Sequence, residues 1–226
     1  IIFMIVINKS FPLFVIITLM TTRMFGQSSI QYEISFPNYR HHEAQVELVV
    51  NKLNNAPATF RMSRSSAGRY ATHEFGKNVY SVKAFDGQGK PLTIKRVAGD
   101  IYKVANHPST VKITYTLYGD YADGTYDDID SSEAHLNMPA TFMWIEGHDQ
   151  DPLTIKFDMP ESLNWKVATQ LKPLGEKNTF YARNFQYLMD SPTELSDYHL
   201  RTWMVKNTDG KQEEMRLVMH AEVSDS

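Results

Sequence analysis

The stretch from Tyr118 to Glu133 (YGDYADGTYDDIDSSE) concentrates carboxylates at Asp120, Asp123, Asp127, Asp128, Asp130 and Glu133. Clustered carboxylates suit a hard cation such as Ca²⁺, but the order D-x-[DN]-x-[DN]-G is not met, because Asp123-Gly124 comes too early. A pair of them could in principle serve glycoside hydrolysis, which depends on a separation in space that sequence spacing does not give. The default is a solvated acidic loop. Long loops in compact domains often carry function, so the stretch stands out. Other chemistry is incomplete. His73-Glu74 opens an H-E-x-x-H string, but Lys77 occupies the position of the second His. His41 and His42 are adjacent, and adjacent strand residues point to opposite faces, so one metal would not take both. Ser63, Ser65 and Ser66 precede Gly68 without the G-x-S-x-G elbow of a serine hydrolase. The phosphate-cradling and dinucleotide fingerprints are also missing. No complete catalytic site is expected in this chain.

The elements that must position these residues read as strands. Val46, Leu48 and Val50 alternate with polar residues, as do Val111, Ile113, Tyr115 and Leu117, and again Met215, Leu217, Met219 and Ala221. Period-two alternation of this length marks strands with one buried face. Further strands are expected over 30–36, 78–85, 91–97, 136–145, 153–159 and 165–170. The segments 197–205 and 213–221 flank Asp209-Gly210 and read as a hairpin. Helix is confined to one short turn over 185–189. Many short strands broken by turn residues predict an all-β fold, an antiparallel β-sandwich-like domain with very little helix. The aromatics, Trp144, Trp165 and Trp203 among them, could stack on sugars; as natural strand residues they are expected in the core, and Trp203 is expected to be buried.

Composition narrows the function classes. Lys and Arg number 23 against 26 Asp and Glu, a net charge of −3 that argues against a nucleic-acid partner and against a polybasic membrane patch. The absence of cysteine excludes disulfides and thiolate ligands. Residues 1–27 differ from the rest. Lys9 precedes the apolar run Phe11–Met20, and Gly26-Gln27 closes it, the pattern of a secretory signal peptide. Asn8, Lys9 and Ser10 interrupt the apolar stretch, which falls short of the ~20 residues of a stable membrane span. The expectation is a signal peptide over 1–27, one β-domain over 28–226, and a periplasmic or secreted bacterial protein.

A series of short motifs adds a family resemblance. In order along the chain they are Phe36-Pro37-Asn38, His41-His42-Glu43, Gly68-Arg69-Tyr70, Phe75-Gly76-Lys77-Asn78-Val79 and Ala84-Phe85-Asp86-Gly87-Gln88-Gly89. There follow Phe142-Met143-Trp144-Ile145-Glu146-Gly147, Trp165-Lys166-Val167-Ala168-Thr169-Gln170-Leu171 and Leu188-Met189-Asp190-Ser191-Pro192-Thr193-Glu194. Together they resemble the N-terminal domain of the glycyl aminopeptidase family of zinc metallopeptidases; Ala67 departs from the family's usual proline. The resemblance implies that the domain is non-catalytic and walls a substrate cleft. It implies partners in a downstream thermolysin-like catalytic domain and a PDZ-like domain, with the zinc held by the catalytic domain and no cofactor in this chain. It also implies that polar groups of the β-domain meet the free N-terminus of a peptide substrate. By position, Asp128, Glu133, His135 and Asn137 are the candidates for that contact. The rival reading is an exported β-sandwich binding module for a sugar or protein ligand. A third is a structural domain that docks on its neighbour through an apolar patch near the C-terminal hairpin.

Overall fold

The computed structural model describes residues 29–66, 68 and 70–220; the expected signal peptide, Ala67 and Arg69 lie outside them. The largest unit is an eight-stranded sheet. Its strands run in the order Lys172–Pro173, Thr179–Ala182, Leu153–Asp158, Ile30–Asn38, Glu43–Val50, Val111–Tyr118, Val79–Asp86 and Pro91–Leu92. Every pairing is antiparallel except that of Ile30–Asn38 with Leu153–Asp158, which is parallel. Period-two alternation sends one set of side chains inward. Ile34, Val46 and Tyr115 form one cross-strand row, and all three are buried. The opposite face keeps Gln31, Glu33, Glu47 and Lys156 at least partly in solvent.

Two four-stranded sheets accompany the main sheet. One runs Trp144–Ile145, Ala58–Arg61, Ile101–Val104, Ile94–Ala98; the other runs Lys166–Ala168, Thr193–Ser196, Glu133–Leu136, Asp128–Ile129. Two buried tyrosines tie the main sheet to the segment that joins these two. Tyr32 Oη donates to the Met143 carbonyl at 2.8 Å, and Tyr115 Oη donates to the Thr141 carbonyl at 2.7 Å. The Met143 N–H returns to Tyr115 Oη at 3.0 Å. The fold is all-β and sandwich-like, with helix limited to short turns.

The expected helix over Phe185–Met189 is present, capped by Asn184, whose Oδ1 accepts from the Tyr187 N–H at 2.8 Å. The expected strand over 136–145 is not continuous. Glu133–Leu136 is a strand, Met138–Thr141 is one buried helical turn, and pairing resumes only at Trp144–Ile145. Pro139 accounts for the break, because it has no N–H for a ladder and its fixed φ suits the first turn of a helix. His41 and His42 are not strand neighbours either. His41 ends the 3₁₀ turn Tyr39–His41, and His42 caps it at φ 61°.

The C-terminal hairpin forms as expected, His199–Lys206 against Gln212–Met219, with Trp203 opposite Met215 and Arg201 opposite Leu217. Its burial does not follow the expectation. Trp203 is 48% exposed, and Leu200, Met204, Val205, Met215, Leu217 and Met219 are exposed with it. The alternation is real, but the hairpin is a two-stranded sheet of its own, and alternation buries a face only where another layer covers it.

Candidate functional site

The site is built on the sheet that contains Glu133–Leu136. In that strand Ala134 and Leu136 enter the core, so Glu133 and His135 share the other face. Register then assembles the rest. His135 stands opposite Glu194 on one side and Asp128 on the other; Glu194 also faces Ala168, and Asp128 forms a bridge with Asp120. Glu133 stands opposite Ser196. His220, just beyond the hairpin strand Gln212–Met219, closes over the same face.

The His135 Nδ1–H donates to Glu194 Oε2 at 3.3 Å, and the His220 Nδ1–H donates to Glu133 Oε2 at 2.5 Å. His220 Nδ1 also lies 3.8 Å from Glu194 Oε1. Glu133, His135, Ala168, Thr193, Glu194 and His220 all line one open hollow of about 370 Å³. Burial lifts the Glu133 carboxyl above its ordinary range and the charge of Glu194 adds to this, against the pull of His220. The bond to Glu194 raises His135 above the usual imidazole value. Burial works against the Glu194 carboxylate, yet hydrogen bonding, His135 foremost, brings it below the ordinary value.

A second group adjoins the first. His42 donates through Nδ1 to the Ile129 carbonyl at 2.7 Å and lies 3.7 Å from Asp120 Oδ1; Asp128 completes the group. Asp128 is raised by partial burial and then by the charges of Asp130 and Asp120. Of the four residues singled out by position, the structure therefore joins Glu133 and His135 directly and places Asp128 one strand away, opposite His135. Asn137 is placed differently. It is 8% exposed, its N–H donates to Asp127 Oδ1 at 2.9 Å, and its side chain is bonded to the Thr125 carbonyl and to Ser66.

The acidic stretch is not simply solvated. Asp127 is 1% exposed, and its Oδ1 accepts from the Asn137 N–H and from Thr141 Oγ1 at 2.8 Å. Its Oδ2 has no hydrogen-bond partner, and burial pushes the carboxyl up to about 7. Gly119 makes room for it: a Cβ there would stand 2.8 Å from Asp127 Cβ and 2.9 Å from its carbonyl oxygen. The His73-Glu74 string lies ahead of the 3₁₀ turn Phe75–Asn78 rather than on an α-helix, and His73 stacks on Phe75. Sequence reasoning missed the roles of Glu194, His220, His42, Asp120 and Asp127. Glu194 closes one of the resemblance motifs, but nothing local indicates that it faces residue 135.

Residues 31–197 match the family model described as the peptidase M61 N-terminal domain. The chain belongs to that family. No curated protein matches it. Among solved structures it is similar to an aminopeptidase N family protein from Idiomarina loihiensis, with a TM-score of 0.75 and 20% identity, over 84% of this chain and 32% of that one. It is also similar to an M1 zinc metallopeptidase from Deinococcus radiodurans (TM-score 0.46, 13% identity, 88% of this chain and 48% of that one). A third is an aminopeptidase A from Legionella pneumophila (TM-score 0.47, 11% identity, 85% and 24%). This chain therefore shares its fold with part of an aminopeptidase N family protein. The chain spans about a third of the length of that relative.

Proposed function

We propose that this domain walls the substrate cleft of an exported zinc-dependent aminopeptidase of the glycyl aminopeptidase kind. In this reading the zinc is held by a thermolysin-like catalytic domain elsewhere in the protein, beside a PDZ-like domain, and this domain grips the substrate's free amino end. The observation that carries the reading is the open hollow in which Glu133 and Glu194 stand together, with Asp128 one strand away. Partly buried carboxylates bind an ammonium through charge-assisted hydrogen bonds, stronger than neutral ones. Membership of a peptidase family and the fold of an aminopeptidase N family protein support the reading.

The test is hydrolysis by the full-length gene product. It is expected to cleave peptides with a free amino end, to leave their N-acetylated forms intact, and to lose activity to a zinc chelator. Equal turnover of free and acetylated peptides, or no peptidase activity with zinc supplied, overturns the proposal. The exposed apolar hairpin favours a second role for the same domain, docking on its neighbour in the chain through Trp203, Met215 and Leu217.

A further inference from the structure

Asp127 is held on one side only. Its Oδ1 accepts from the Asn137 N–H and from Thr141 Oγ1, both neutral donors, while Oδ2 is buried without a partner. The titratable groups that act on it from neighbouring elements are His135, in the strand Glu133–Leu136, and Tyr115, in the strand Val111–Tyr118. Both are engaged elsewhere, His135 with Glu194 and Tyr115 with the Thr141 carbonyl. A carboxyl so placed is stable as the neutral acid; as an anion it lacks donors for Oδ2. The segment around it is otherwise shallow. Residues 120–124 are exposed, and Thr125 and Ile129 are the side chains buried beside Asp127. The Ile129 N–H donates to the Gly119 carbonyl at 3.0 Å, and the Gly119 N–H donates to the His42 carbonyl at 2.8 Å. The same segment forms one border of the acidic face. Asp128 stands opposite His135 and is bridged with Asp120, and the Ile129 carbonyl accepts from His42. A movement that carries Asp127 out of the core therefore withdraws Asp128 from His135 and releases His42.

We infer that residues 119–129 form a proton-operated latch: Asp127 as the neutral acid seats the segment, and loss of that proton releases it. Lifting this segment hydrates the anion at the cost of far fewer contacts than unfolding the sheets, so the opening is local. His135 works in the same sense. Its positive charge favours the Asp127 anion in place, and that support disappears as His135 loses its own proton with rising pH. Tyr115 is pushed well above its ordinary value by burial and stays neutral throughout. Opening takes Asp128 from the face that holds a peptide's amino end, so the grip fails at alkaline pH. That consequence rests on the function proposed above; the latch itself does not.

The experiment is amide hydrogen exchange of the full-length protein at pH 4.5 and pH 8, corrected for the intrinsic pH dependence, for wild type and Asp127→Asn. It is repeated in low concentrations of urea. The reporters are the amides of Gly119, Ile129 and Asn137, compared with those of the central strands Ile30–Asn38 and Glu43–Val50. A carboxyl that titrates at about 7 when seated and at 3.8 when free makes opening roughly two-hundredfold more frequent at pH 8 than at pH 4.5. Protection of the segment is expected to fall by that factor in wild type and to change far less in Asp127→Asn. At pH 8 the segment is also expected to exchange faster than the central strands and without response to urea, the mark of local opening. An equal pH response in both proteins overturns the inference, because a response carried by His135 alone would persist in the variant. Exchange of the segment at the rate and with the urea dependence of the central strands overturns it as well, and this comparison needs wild type only if Asp127→Asn does not fold. Exchange is read without substrate, so failure of the latch and failure of the proposed function are distinguishable.

Discussion

Replacing Asp127 by asparagine removes a carboxylate whose burial opposes folding at neutral and alkaline pH. In the native state its carboxyl titrates at about 7, against 3.8 for a free side chain. The native state therefore keeps a proton that the unfolded chain releases between these values, and stability falls as pH rises from about 4 to about 7. Below that window both states are protonated and nothing is lost; above it the loss is complete. At ~1.4 kcal/mol per pH unit the span corresponds to on the order of 4 kcal/mol. The substituted amide keeps an oxygen for the Asn137 N–H and the Thr141 hydroxyl, and it does not titrate. The assay is urea denaturation of wild type and Asp127→Asn at pH 4.5 and pH 8. With a slope of ~2 kcal/mol per molar urea, the midpoint difference between the two proteins should change by roughly 2 M across that range, in favour of the variant at high pH. His135, whose value is raised, contributes stability below the ordinary imidazole range that is lost as pH rises. It acts in the same direction, and its main cause, the bond to Glu194, is common to both proteins, so the difference keeps only the lesser part that the Asp127 charge adds to His135. Parallel pH profiles for the two proteins would refute the reasoning.

Tyr115→Phe leaves the Met143 N–H and the Thr141 carbonyl unpaired in the core, and a loss of ~1–3 kcal/mol in chemical denaturation is expected. Gly119→Ala drives a methyl into the Asp127 backbone, which cannot yield as a flexible side chain would. Its expected cost is about 1–3 kcal/mol, read as a fall in Tm. Asn184→Ala removes the cap of the Phe185–Met189 helix and should cost ~1 kcal/mol by the same measurement. Acrylamide should quench the fluorescence of Trp203 and spare Trp165, which is buried, so Trp203→Phe should remove most of the quenchable signal.

Much of the fold was legible because period-two alternation survives translation into structure wherever a second layer exists. Val46, Leu48, Val50, Val111, Ile113, Tyr115 and Leu117 all enter the core as their spacing requires. The same signal misled at Trp203, Met215 and Leu217, since alternation records two faces but not whether either is covered. The parallel pairing of Ile30–Asn38 with Leu153–Asp158 joins segments more than a hundred residues apart, and nothing local encodes it. The site divides along the same line. Glu133 and His135 share a face by strand geometry alone, whereas Glu194 and His220 arrive through register and through the hairpin's return. The inward turn of Asp127 was hidden by its acidic neighbours, because residue type gives no sign of which aspartate in a run points to the core.

The central claim is that the acidic face of this domain holds a peptide's amino end, and Glu133→Gln in the full-length protein tests it most directly. Steady-state kinetics on one peptide with a free amino end should show KM raised about tenfold or more with kcat changed far less, as befits a group that binds the substrate without meeting the scissile bond. A variant with unchanged KM, or one in which kcat alone collapses, would contradict the claim.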